Sequence, residues 1–272
     1  MKQPHVIFRH SLLVRVTHWI NVLCFVVLLM SGLQIFNAHP ALYLGKQSDF
    51  QNPVFSIGQG EVGDREVGVT TILGHSFNTT GVLGLSTVEG EDTERGFPAW
   101  ITLPSGQDLA IGRRWHFFFA WLFVLNGLVY LVGSFVSKHF WRDLVPSRIA
   151  MAHIGASFLD HLRLRFPRSE AARHYNVVQQ LGYLAMIFIV LPLVVVTGWT
   201  MSPGLDAFFP SLLDLFGGRQ SARTVHFVVA TLIVLFTIIH VVMVLLSGAL
   251  NNLRSMITGR YDIGSERQAH VG

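Results

Sequence analysis

Apolar residues in this chain come in four long runs, at 19–36, 117–136, 177–201 and 225–250, and none of these runs contains a charged residue. About 20 such residues cross the hydrocarbon core of a bilayer as an α-helix. Backbone amides in hydrocarbon must be satisfied within their own segment, which excludes strands for runs of this kind. The pattern predicts an all-α membrane protein. It would be a four-transmembrane-helix bundle with spans over about 18–36, 116–136, 177–201 and 223–250, and one membrane domain over 1–272. The first run follows a short basic N-terminus, as a secretory leader would. However, His18, Trp19 and Asn21 stand at its start and three spans follow, so it is expected to be retained.

Composition agrees with this class: 51% of residues are hydrophobic and 13% charged, far from the balance of soluble domains. The net charge of +4 does not suggest nucleic acid, because the basic residues gather in particular connections. Lys2, Arg9 and Arg15 precede the first span. Seven basic residues lie within 137–176, and Arg254, Arg260 and Arg267 follow the last span. The segment 37–112 has only Lys46, Arg65 and Arg95 against nine acidic residues. The positive-inside bias then puts both termini in the cytoplasm and 37–112 in the periplasm, in a multi-pass protein of the bacterial inner membrane.

Two connections have patterns of their own. Glycine and β-branched residues at 67–73 and 79–88 suggest a small hairpin in the long periplasmic loop. Met151, Ile154, Phe158 and Leu162 share a helical face beside Arg163, Arg165 and Arg168. That arrangement suits either a helix lying on an anionic leaflet or an ordinary solvated connector.

Of thirteen histidines, four fall at or within spans: His18, His116, His226 and His240. The topology sorts them by depth, with His18 and His240 towards the cytoplasm and His116 and His226 towards the outside. The 14 residues from His226 to His240 rise about 21 Å, close to four whole turns, so both face the same side of the bundle. Depth-matched imidazole pairs on facing helices are what a six-coordinate haem needs. The alternative is that each histidine hydrogen-bonds a neighbouring helix. The one cysteine, Cys24, excludes an internal disulfide, a thiolate iron–sulfur cluster and CxxCH attachment. Two haem b groups, held non-covalently by four histidine–iron bonds, are therefore expected.

Arg15, Arg113 and Arg223 each stand three residues before one of the histidines, on its face and one turn nearer water. They are placed either for haem propionates or as interfacial anchors. Gly32, Gly127 and Gly198 could let a flat macrocycle approach the backbone, or could simply serve helix contact. At the start of the third span, in Tyr175-Asn176-Val177-Val178-Gln179, Asn176 and Gln179 form either a capping box or a pair of donors to a quinone carbonyl.

The stretches RHSLLVRVTHW, GRRWHFFFAW and NNLRSMITGRY, with the 14-residue histidine spacing, resemble the di-haem cytochrome b family of bacterial cytochrome b561-like proteins. That family supplies membrane subunits to nickel hydrogenases, formate dehydrogenases and thiosulfate reductases, and the likeness is to the branch paired with periplasmic molybdopterin oxidoreductases. The resemblance implies His18 and His240 on a cytoplasmic-side haem and His116 and His226 on an outer one. It implies electron transfer between a periplasmic oxidoreductase subunit and membrane quinone, with no catalytic side chain assigned here. The long insertion before Arg113 departs from it. Two other functions fit the residues: a self-sufficient haem b quinone reductase acting on a small periplasmic reductant such as superoxide, and a haem-free transporter with a histidine proton relay.

Overall fold

The computed structural model describes residues 6–88, 90–163 and 176–262. Four helices are long and apolar enough to cross a membrane: α1 (Leu12–Asn37), α2 (Leu109–Val136), α3 (Val177–Thr200) and α4 (Arg219–Leu246). Large apolar side chains on their outer faces are exposed, among them Leu232, Leu235, Ile238, Ile239, Val242 and Leu245 of α4. An acyl-chain environment would cover such faces. Three helices begin before the predicted spans, at residues 12, 109 and 219, because helical hydrogen bonding continues through the interfacial turns that carry Arg15, Arg113 and Arg223. At its other end α4 stops short of residue 250. Gly248 there has φ +107°, which turns the chain into a separate helix, Ala249–Thr258. Within α3, the segment Met186–Val190 is π-helical between α-helical flanks.

The chain forms two compact units. The first comprises residues 1–21, 125–192 and 232–272. In it β1 (Val6–Phe8) pairs antiparallel with β8 (Arg260–Asp262), which joins the segment before α1 to the segment after α4. Asn126 Nδ2 donates to Thr17 O at 2.8 Å and to Asn21 Oδ1 at 2.7 Å, tying α2 to α1 on either side of His18. Beyond α2, His139 Nδ1 lies 2.6 Å from Asp143 Oδ2, and Gln180 Nε2 of α3 donates to the Asp143 carbonyl. The amphipathic segment is present as two helices, Arg148–Ala152 and Ile154–Leu162, with Met151, Ile154 and Phe158 exposed. Arg165, Arg168 and Tyr175 lie outside the described residues.

The second unit comprises residues 22–124 and 193–231. Its β2 (Ala41–Leu42), β3 (Phe55–Val62), β4 (Arg65–Ile72) and β5 (His75–Asn78) form an antiparallel sheet in that order, and β6 (Gly84–Val88) pairs with β7 (Glu91–Arg95). The strands within 67–73 and 79–88 thus belong to different sheets, and the stretches are hydrogen-bonded where Thr79 N donates to Gly68 O at 2.8 Å and the Thr79 and Thr80 side chains reach Thr70 and Gly68. Leu73 and Gly74, at φ +49° and +83°, turn the chain straight from β4 into β5. A side chain at Gly68 would collide with the Leu83 carbonyl, so glycine lets the two sheets lie in contact. Beneath them Phe36, Leu42 and Ile57 form a core with Phe55, Phe97 and Phe227. Asn37, at the end of α1, clamps Phe97 by two hydrogen bonds: Phe97 N to Asn37 Oδ1 at 2.6 Å, and Asn37 Nδ2 to Phe97 O at 3.0 Å.

Candidate functional site

Each unit holds one histidine pair. In the first unit His18 of α1 and His240 of α4 face each other with ring centroids 6.4 Å apart and planes at 63°. In the second unit His116 of α2 and His226 of α4 do the same, at 6.4 Å and 65°. An imidazole nitrogen bonds a transition metal at about 2.0–2.1 Å, and the ring centroid lies roughly 1 Å behind it. Two imidazoles trans across one metal therefore have centroids about 6 Å apart. Both pairs have that separation. Among the described residues, no group of three or more metal-ligating side chains converges. The donor set at each pair thus fits a metal that brings its other ligands with it, as a porphyrin does.

The second unit's pair is held from behind. Ser31 Oγ of α1 lies 3.1 Å from His116 Nδ1, and Thr197 Oγ1 of α3 lies 3.0 Å from His226 Nδ1. Gly32 and Gly198, each next in sequence, lie against the same rings. A Cβ on either would stand 3.4 Å from the imidazole Cε1. These two glycines therefore seat the histidine rings, whereas Gly127 has open space where its side chain would be. The hydroxyls carry no signal in the sequence, since serine and threonine within helices commonly bond the carbonyl four residues back. The first unit's pair has aromatic neighbours: Trp19 at 5.6 Å from His18, and Phe236 stacked at 6.2 Å and 9° on His240.

The three arginines differ in what they meet. Arg223 donates to Ala41 O at 2.8 Å and His39 O at 2.5 Å, and its guanidinium lies over Phe36. Arg113 lies over the Phe117 ring, 5.5 Å from its centroid. Arg15 donates from Nη1 to Ile257 O at 2.6 Å, while its buried Nε has no partner among the described residues. Gln34, one turn beyond Ser31 and packed on Gly112, likewise has a buried Oε1 without a partner among the described residues. An unsatisfied buried polar atom of this kind next to a histidine pair fits the polar edge of a bound group.

Asn176 and Gln179 form the capping box. Val178 N donates to Asn176 Oδ1 at 3.0 Å, and Asn176 N donates to Gln179 Oε1 at 3.2 Å. Beside this turn an apolar cavity of about 390 Å³ is lined by Ile154, Gly155, Phe158, Val178 and Leu181.

Residues 9–259 match the family described as prokaryotic cytochrome b561, and the chain belongs to it. A relative from Azospira oryzae, provisionally named protein-methionine-sulfoxide reductase subunit YedZ1, is 29% identical over 237 residues. The match covers 87% of this chain and 90% of that protein. No solved structure matches. The chain is thus an integral membrane electron-transfer protein of a family that binds haem b.

Proposed function

We propose that this prokaryotic cytochrome b561 carries electrons through two haem b groups between a periplasmic oxidoreductase, of molybdopterin type, and membrane quinone. The observation that carries this reading is the duplication of one geometry: two histidine pairs with the same 6.4 Å spacing, one in each unit. His18 and His240 would hold the cytoplasmic-side group, and His116 and His226 the outer one. When bound, each haem would supply a one-electron couple, and the two histidines that would hold it suit electron transfer rather than substrate binding. The joining of the segments before α1 and after α4 through β1 and β8 supports both termini lying on one side, here the cytoplasm.

The chain's own groups would orient and shield. Arg15 Nε is a buried donor one turn from His18, suited to a propionate, and Arg113 is placed for the outer group. Arg223 anchors the start of the periplasmic segment and keeps it over the outer site. For quinone, the capping box uses the oxygens of Asn176 and Gln179, and among the described residues their NH₂ groups have no acceptor, so they could donate to a carbonyl. The adjacent apolar cavity suits an isoprenoid tail. The name of the Azospira relative supports an oxidoreductase partner.

The test is a dithionite-reduced minus oxidised spectrum of purified protein, with haem quantified, for the wild type, His116→Ala and His240→Ala. Two haems in the wild type and loss of a different one in each variant are expected. One haem in the wild type, or the same loss in both variants, would refute the two-centre reading.

A further inference from the structure

The two hydroxyls behind the outer pair have a direction that fixes a chemical state. A serine or threonine hydroxyl has one hydrogen. Ser31 Oγ is 2.6 Å from Val27 O and 3.3 Å from Leu28 O. Thr197 Oγ1 is 2.7 Å from Leu193 O and 3.1 Å from Val194 O. Those carbonyls can only accept, so each hydroxyl hydrogen points along its own helix. The same oxygen is then left to accept from the imidazole, which also faces the Leu28 carbonyl in His116 and the Val194 carbonyl in His226. Since oxygens that can only accept surround it, Nδ1 is the protonated nitrogen in both. The lone pair is left on Nε2.

The two halves of the site are built alike. α1 presents Leu28 O, Ser31 and Gly32 to His116, and α3 presents Val194 O, Thr197 and Gly198 to His226. In α2 and α4 an arginine stands three residues before the histidine. Hydroxyl, glycine seat and imidazole thus recur in two helical hairpins that share no longer sequence repeat. The inner pair is different: among the described residues, neither His18 nor His240 has a hydrogen-bond partner, and their contacts are with Trp19 and Phe236.

We propose that Ser31 and Thr197 are the positioning residues of the outer centre. Each fixes its histidine as the Nδ1–H tautomer with Nε2 turned inward, and by accepting that hydrogen makes the imidazole a stronger donor to iron. Ligands that donate more strongly favour the ferric state, so this pair of bonds lowers the outer centre's midpoint potential relative to the same histidines without them. The inference rests on the reading that His116 and His226 hold a haem, and it adds to that reading a device that, among the described residues, is present at one centre only.

Ser31→Ala and Thr197→Val remove the hydroxyls at little change in volume, and Thr197→Ser keeps one. The variants are purified in detergent, haem is quantified, and the reduced spectrum is followed in a potentiometric titration. Outer-centre haem affinity is expected to fall about 10–100-fold in each hydroxyl-free variant. The outer midpoint should shift upward, the inner midpoint should stay fixed, and Thr197→Ser should restore the wild-type values. The inner centre also reports folding in every variant. Unchanged outer affinity and midpoint in Ser31→Ala and Thr197→Val would overturn the proposal, as would equal shifts at both centres. Failure of the underlying reading looks different: His116→Ala and His226→Ala would then keep a full complement of haem.

Discussion

The His18 and His240 imidazoles face each other with centroids 6.4 Å apart and planes at 63°, one from α1 and one from α4. If both hold the iron of a haem, as proposed, no site would be left on it for an added ligand. Carbon monoxide added to the dithionite-reduced protein is therefore expected to leave the spectrum unchanged. His240→Gly, like His240→Ala, should lose the haem of this pair, and free imidazole supplied in place of the side chain should restore it without a carbon monoxide band. A band in the wild type would mean that a ligand is missing from one of the pairs.

At Gly32 the room is set by the His116 ring: a Cβ there would stand 3.4 Å from Cε1, a tolerable van der Waals contact. Gly32→Ala should keep both haems with a stability loss within about 1 kcal/mol, whereas Gly32→Leu overpacks the seat by several methyl-sized groups and costs more. The expected outcome is selective loss of the outer haem in the leucine variant, read from haem content after detergent extraction. Equal haem in both variants would show that the ring is not seated there.

What was legible in the sequence follows from how far each signal reaches. Four uncharged runs specify helices by themselves, and a histidine inside such a run is costly enough to stand out, so the spans and both pairs could be read from residue order alone. Gly32 and Gly198 were visible as small residues, but whether a macrocycle or an imidazole fills the gap depends on the facing helix. Ser31 and Thr197 carried no signal, because a hydroxyl bonded to its own backbone looks the same whether or not its oxygen also accepts from a neighbour. The fate of Arg223 was hidden for another reason: its partners, His39 and Ala41, lie about 180 residues away in sequence. Hairpins do form in 37–112, but glycine and β-branched content suggests strands without choosing which ones pair, and the turn at Leu73 and Gly74 made β5 the partner of β4.

Arg95 is 4% exposed and spends its guanidinium inside the second unit, donating to Phe97 O at 2.8 Å, Ser105 O at 3.0 Å and Thr102 Oγ1 at 3.0 Å. The planar fork reaches three acceptors that an ammonium group cannot reach together. Arg95→Lys should destabilise the protein by about 1–3 kcal/mol, and Arg95→Met by at least as much, because buried acceptors lose their partners. Differential scanning fluorimetry of the purified variants measures this. A melting temperature equal to wild type in both would remove Arg95 as the clamp between β7 and the segment leading to α2.

His10 links stability to pH. It is 9% exposed, and burial first, then the nearby Arg9, lower its pKa from 6.5 to about 4, with smaller contributions from His18, His139 and Arg15. The unfolded chain takes up the proton near 6.5 and the folded chain only near 4, so between these values the unfolded state holds more protons. Stability is accordingly unaffected above that window and falls as pH drops through it. The full effect is about 3 kcal/mol, as 1.36 kcal/mol for each pH unit of difference. His10→Gln removes the titrating group while leaving the others, so the wild type should lose stability relative to the variant between about pH 7 and pH 4, by that amount. Denaturation of both proteins in parallel at several pH values tests this. A difference that stays constant across the range would show that His10 is protonated as readily in the folded protein as in the unfolded chain.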